Sequence, residues 1–210
     1  MVTLYYSPST ASMVVHWLLI ELGTPHELRK LDLEAREHKT PAYLKLNPAG
    51  VVPTLLIEGR ALCEAAAIAM HLADLHPDAG LAPPPGSQER AWYYQWMFFM
   101  ANTLQPSYRA WFYPGEMAGD DHAESAKEMA RQRIEGAWQR VAEHLGAAGP
   151  YLLGERISAA DFMLTMLMRW SRNMPKPAHT WPELLAHAQR MKSRPSFKEL
   201  YSREGLTDWA

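Results

Sequence analysis

Residues 51–65, VVPTLLIEGRALCEA, set a proline at the head of a run as strand-like as Thr54-Leu55-Leu56-Ile57 and end on a carboxylate and two small residues. Proline has no N–H to give a sheet ladder and is confined to strand starts, edges and bulges. A strand-initial X-Pro bond is trans in all but about 5–6% of cases, so residue type alone makes Pro53 an ordinary strand opener. Glu64 falls where the next strand meets a helix, and Ala65 and Ala66 are that helix's first residues. Their N–H groups have no partner within the helix and lie at the positive end of its dipole, which suits a carboxylate. Glu64 suits an ammonium. As a plain first-turn acid, Glu64 would stabilise the helix by about 0.3–1 kcal/mol.

These residues need elements to position them. Val2–Tyr6 is a β-rich run, and Val14, Val15, Leu18, Leu19 and Leu22 recur at helical spacing before Gly23. Glu27–Leu33 alternates like a half-buried strand. A short helical segment leads to Asn47-Pro48, two short strands follow across Glu58-Gly59, and Glu64–His76 carries one apolar stripe. The order is β-α-β-α-β-β-α. AGLAPPPGS (79–87) contains three successive prolines and reads as a stiff, extended linker. From Gln88 onward the periodicity is helical: 88–103, 124–145, 159–173 and 182–191. The expected organisation is an α/β domain over 1–80, a linker over 81–87 and an all-α domain over 88–210.

A small β-α-β-α-β-β-α domain whose third strand opens on proline resembles the thioredoxin fold, in which that bond is cis. Such a bond turns the backbone of Val52 away from the sheet, so that its N–H and C=O can pair with an extended, peptide-like ligand, as in strand addition. An ammonium and a carboxylate on one carbon of such a chain describe the γ-glutamyl end of glutathione. Over essentially its whole length the chain resembles the cytosolic glutathione transferase family. The resemblance rests on NPAGVVPTL, on Cys63-Glu64-Ala65 before AIAMHL, on the linker, and on GERISAADFML at 154–164, where Ser158 and Asp161 form a capping box.

That resemblance implies that Val52, beside Pro53, pairs with the cysteinyl backbone of glutathione, and Glu64 with its γ-glutamyl amine. The family usually has Ser or Thr after that glutamate; Ala65 offers only its backbone N–H. His38, nine residues before Asn47, stands where some classes hold the glycine carboxylate, with Lys39 beside it; solvated surface charge is the plainer reading of both. In YYSPSTASMVV, Ser9 falls on the serine used by theta- and zeta-like classes, and Ala11 where beta-class bacterial enzymes carry cysteine. The resemblance is thus to bacterial, theta/beta-like members of the serine type. Ser9 leads as the group contacting the thiol, with Thr10 and Ser12 behind it; Ser12 also fits the N-cap of the first helix.

One hydroxyl suffices for such chemistry. A thiol with a pKa of about 8.5 is mostly un-ionised at neutral pH, and a hundredfold gain in thiolate needs about 2.7 kcal/mol. A hydrogen bond to the charged sulfur contributes roughly 1.5–3 kcal/mol and a helix N-terminus roughly 0.3–1 more. The second substrate would be a small hydrophobic electrophile. Aromatic residues run from Trp92 to Tyr113, and most of the first six, Trp92 to Phe99, are expected in the core. Pro106 interrupts them, and Tyr108, Trp111 and Phe112 beyond it are candidates for an apolar pocket in the cleft between domains. A homodimer is what the family implies. Two other readings on the same scaffold are glutathione-dependent disulfide or peroxide reduction, and a glutathione- or ligand-binding protein without turnover.

Composition narrows the field. A net charge of -2 gives no electrostatic reason to expect nucleic acid or an anionic membrane surface. No apolar run approaches the roughly 18 residues that span a bilayer. A single cysteine, Cys63, excludes an intrachain disulfide, and the start MVTLYYSPST is unlike a signal peptide, so a cytoplasmic protein is expected. Nine scattered histidines form no metal-ligand motif, so no metal is expected, and neither GxGxxG, a P-loop nor GxSxG occurs.

Overall fold

The computed structural model describes residues 1–209 and divides into two compact units. The first holds Met1–Ala82 and the residues from Lys192 onward; the second is Pro83–Met191. In the first unit the elements are β1 (Val2–Tyr6), α1 (Ser12–Glu21), β2 (His26–Lys30), α2 (Pro41–Leu44), β3 (Thr54–Ile57), β4 (Arg60–Cys63) and α3 (Ala65–Leu75). The strands lie in the order β2-β1-β3-β4; β1 and β2 are parallel and the other two pairs antiparallel. This is a thioredoxin-like sheet. The parallel pair needs a crossover, which α1 supplies. The antiparallel pair closes on Glu58-Gly59, both at positive φ (50° and 78°), as a two-residue turn matching the strand twist requires.

The second unit holds α4 (Gln88–Phe99), α5 (Gln105–Phe112), α6 (Pro114–Ala118), α7 (Ala123–Ala148), α8 (Ala159–Trp170) and all but the last residue of α9 (Pro182–Lys192). Between α4 and α5, Met100–Leu104 forms a π turn in which the Gln105 N–H reaches back five residues to the Met100 carbonyl. Pro106 explains the turn: proline gives no N–H and its ring crowds the carbonyl four residues back, so the helix widens there rather than stops. α8 is buried from Ala159 to Arg169 and forms the centre of this unit. Its start carries the expected capping box. The Asp161 carboxylate accepts from the Ser158 N–H at 2.8 Å and hydroxyl at 3.0 Å, and from the Leu152 N–H at 2.9 Å. Burial pushes this carboxyl above the usual range, against the pull of His187 and these donors.

The chain then returns. α10 (Pro195–Glu204) belongs to the first unit, whereas periodicity assigned everything after Gln88 to the helical domain and marked no helix beyond 191. Its contacts with α1 explain this. Trp17 Nε1–H donates to Ser196 Oγ at 2.9 Å, the Trp17 ring meets Phe197 edge-on at 5.1 Å, and Arg194 pairs with Glu21. With β1 and α3 also packed on it, α1 is buried all round from Ser12 to Leu19 and shows no polar face, so its own pattern does not announce what covers it. Asp161→Ala strands the Ser158 and Leu152 N–H donors in an apolar interior; urea denaturation should show a loss of roughly 2–4 kcal/mol.

Candidate functional site

The register of the sheet gathers the site residues. Thr54 sits opposite Tyr5 on one side and Cys63 on the other. One step further along the same register, Pro53 comes level with Tyr6 and Glu64. The loop after β1, the Val52-Pro53 dipeptide and the start of α3 therefore meet at one end of the sheet. The ladder stops there because Pro53 has no N–H to continue it. The Val52–Pro53 bond is cis, as the thioredoxin resemblance implied. Val52's own N–H and C=O pair with no other group among the described residues.

Across from them, Glu64 is the N-cap residue of α3 at φ 70°, with its carbonyl already accepting from the Ile68 N–H at 2.9 Å. Its exposed carboxylate makes no capping bond, so it remains available to a cation, while Ala65 is buried at the first helical position. On the other flank Gly50, at φ +59°, lets His38 and Lys39 close on the loop. A Cβ at Gly50 would stand 2.9 Å from the His38 carbonyl, from Leu44 Cδ2 and from Lys39 Nζ, and Lys39 Nζ also donates to the Ala49 carbonyl at 3.2 Å. Val52, Pro53, Glu64, Ala65, His38 and Lys39 thus all lie in the first unit, the last two packed on the segment that leads into Val52.

The β1–α1 loop carries the three hydroxyl candidates. Thr10 Oγ1–H donates to the Ser7 carbonyl at 2.7 Å, and Ser12 Oγ lies 3.0 Å from that carbonyl and 2.8 Å from Thr10 Oγ1. Ser12 Oγ also accepts from the Ser7 N–H, and Thr10 Oγ1 from the Ser12 N–H. Both hydroxyls are therefore spent inside the loop. Ser12 is not the N-cap of α1; that position is Ala11, which has no side chain to cap with. Ser9 sits at φ 65°, a conformation that non-glycine residues adopt rarely and that clusters at functional sites. Its N–H donates at 3.0 Å to Oε2 of Glu204, the last residue of α10, whose Oε1 accepts from His16 Nδ1 at 2.9 Å. The N–H groups of Thr10 and Ala11 find no partner among the described residues.

The electrophile candidates belong to the second unit. Tyr108 is fully buried, edge-on to Trp170 at 5.6 Å and stacked on Phe112 at 5.8 Å, and burial drives its phenol pKa upward. Phe112 is half exposed, and Trp111 lies beneath Lys127 Nζ. Cys63 is half-buried, 3.9 Å from Thr54 Oγ1. Among the described residues, no three His, Cys, Asp or Glu side chains group as metal ligands, and no helix is long and apolar enough to cross a membrane. Sequence reasoning missed Glu204, 195 residues from Ser9, which no local pattern links to it. It also missed Tyr43 and Asn47, although Asn47 stands inside the quoted NPAGVVPTL.

A thioredoxin-like unit in which the Val52 main chain is unpaired, followed in the chain by a helical unit, defines a two-domain architecture, and comparison with known proteins narrows it. Residues 1–74 match the glutathione S-transferase N-terminal domain and residues 102–203 the C-terminal domain of that family. The chain is 32% identical over 205 residues to glutathione S-transferase GstA of Escherichia coli O157:H7, covering 97% of this chain and 98% of that one. The crystal structure of a glutathione transferase from Methylococcus capsulatus is 32% identical, with a TM-score of 0.88 over 99% of this chain and 100% of that one. A Sulfitobacter homologue solved with bound glutathione is 26% identical, with a TM-score of 0.90 over 99% of each chain. The chain belongs to the glutathione S-transferase family.

Gly50→Ala adds a methyl group where His38, Leu44 and Lys39 already touch, and forces a side chain into a left-handed conformation. It should lower stability by roughly 1–3 kcal/mol in a denaturant titration.

Proposed function

We propose that this chain transfers glutathione to small hydrophobic electrophiles and activates the thiol by a serine-type mechanism. The observation that carries the reading is the unpaired main chain of Val52 next to the exposed carboxylate of Glu64. In this reading the cysteinyl backbone of glutathione pairs with Val52 as an added strand, and the γ-glutamyl ammonium meets Glu64. The γ-glutamyl carboxylate takes the first N–H groups of α3, and the glycine carboxylate faces His38 and Lys39.

The sulfur then lies toward the β1–α1 loop. Ser9 donates its hydroxyl to the thiolate, while the N–H groups of Thr10 and Ala11 and the dipole of α1 add to the stabilisation. Thr10 and Ser12 serve the loop rather than the sulfur, which the saturation of their hydroxyls supports. No base is needed: the thiol's proton leaves to solvent and the thiolate attacks the electrophile's carbon, expelling its leaving group. Phe112 and Trp111, with Tyr108 behind Phe112, form the apolar surface for that electrophile. A cytoplasmic homodimer completes the reading.

Millimolar glutathione should raise the melting temperature; absence of any shift would remove the assignment. Ser9→Ala loses a charge-assisted hydrogen bond, so it should raise the apparent pKa seen in the pH profile of kcat/KM and cut turnover at neutral pH about tenfold or more. Unchanged kinetics would assign the sulfur to the Thr10 and Ala11 amides. Ala65→Ser restores a hydroxyl beside the γ-glutamyl carboxylate and should tighten glutathione binding by about 3- to 10-fold in calorimetry.

A further inference from the structure

Beneath the Val51–Val52 peptide lies a buried polar ring that touches no ligand-binding side chain named above. Tyr43 on α2 and Asn47 just after it are both about 3% exposed, and Thr54 at the head of β3 is fully buried. Tyr43 Oη–H donates to the Val51 carbonyl at 2.7 Å, and Asn47 Nδ2 donates to the same carbonyl at 2.8 Å. Asn47 Nδ2 also donates to Thr54 Oγ1 at 3.2 Å, and Thr54 Oγ1 lies 2.7 Å from Tyr43 Oη. The protons can be assigned completely. Tyr43 spends its hydrogen on Val51, so Thr54 donates to Tyr43, and both amide hydrogens of Asn47 are used. Asn47 Oδ1 accepts from the Ala49 N–H at 3.1 Å, which fixes the amide's orientation.

A peptide unit is planar, and in a trans unit its C=O and N–H point in opposite directions. The only cis bond in the described chain is the next one, so the 51–52 unit is trans. Two donors holding the Val51 oxygen therefore dictate where the Val52 N–H points: directly away from the ring. We propose that Tyr43 and Asn47, with Thr54 between them, are positioning residues that aim the Val52 amide at the cysteinyl backbone of glutathione without contacting it. The proposal rests on the glutathione reading above and adds what fixes affinity in it. With the clamp gone, the 51–52 plane rotates freely and part of the population presents its carbonyl, an acceptor, to a ligand acceptor.

The test compares KM and kcat for Tyr43→Phe, Asn47→Ala and Thr54→Val with glutathione varied at saturating aryl halide. Each variant should raise KM about five- to tenfold, with kcat and the pH profile held, because the sulfur end is untouched. Thr54→Ser, which keeps the hydroxyl, should recover most of the affinity that Thr54→Val loses, and this pair keeps the test valid if the other variants do not fold. Asp161→Ala provides the control, destabilising the protein without moving KM. If the glutathione KM is unchanged in all three clamp variants, or if kcat falls instead, the clamp is refuted while the functional reading stands. If the wild-type protein fails to bind glutathione, both fall.

Discussion

Everything at the ligand-binding end of this protein depends on where one β-ladder stops. β3 is paired on both sides through Thr54, and the residue before it has no N–H to offer. The main chain of Val52 therefore reaches the end of the sheet unpaired, in a region where buried peptide groups otherwise find partners. Because β1, β3 and β4 are locked in register, the same end also receives the loop after β1 and the first turn of α3. A hydrogen-bonding edge, a carboxylate and a helix N-terminus thus come together as a consequence of strand pairing. The site is a property of the sheet.

Holding that end open requires support from behind. The 51–52 peptide is gripped by Tyr43 and Asn47, the segment before it is wedged against His38 and Lys39 at Gly50, and Ser9 is held by Glu204 from the far end of the sequence. Ser9 and Glu64 both sit at positive φ, a conformation that costs roughly 1–3 kcal/mol for a non-glycine residue and persists only where the surroundings fix it. The return of α10 to the first unit supplies that fixation for Ser9. It also explains why the first unit is not a continuous stretch of sequence: α1 would otherwise leave Trp17 and His16 uncovered.

Much of this was legible in the residues. The β-rich run of β1, the alternation over Glu27–Leu33, the Glu58-Gly59 turn, and Pro53 followed by Glu64 at a spacing of eleven residues give the element order and two of the candidate ligand-binding positions. The capping box at Ser158 and Asp161 follows from local chemistry alone. What was not legible depends on long-range pairing. α10 carries an apolar stripe of Phe197, Leu200 and Tyr201, opens on Pro195 and is followed by Gly205, signals that would have located it, yet nothing local says that it packs on α1. Ser9 led Thr10 and Ser12 on the resemblance alone, and the bonds that tie Thr10 and Ser12 to the Ser7 carbonyl are not written in the local sequence. Pro106 suggested a break or a bend, and what the local sequence does not show is that a π turn over Met100–Leu104 accommodates it.

The most direct measurement is amide hydrogen exchange at Val52, with and without glutathione at saturation. If the Val52 N–H is the main-chain donor that receives the tripeptide, its exchange is fast in the free protein and slows sharply in the complex, while the Thr54 and Leu55 amides barely change. A Val52 amide already protected without ligand, or one whose exchange is unaffected by bound glutathione, would contradict the account.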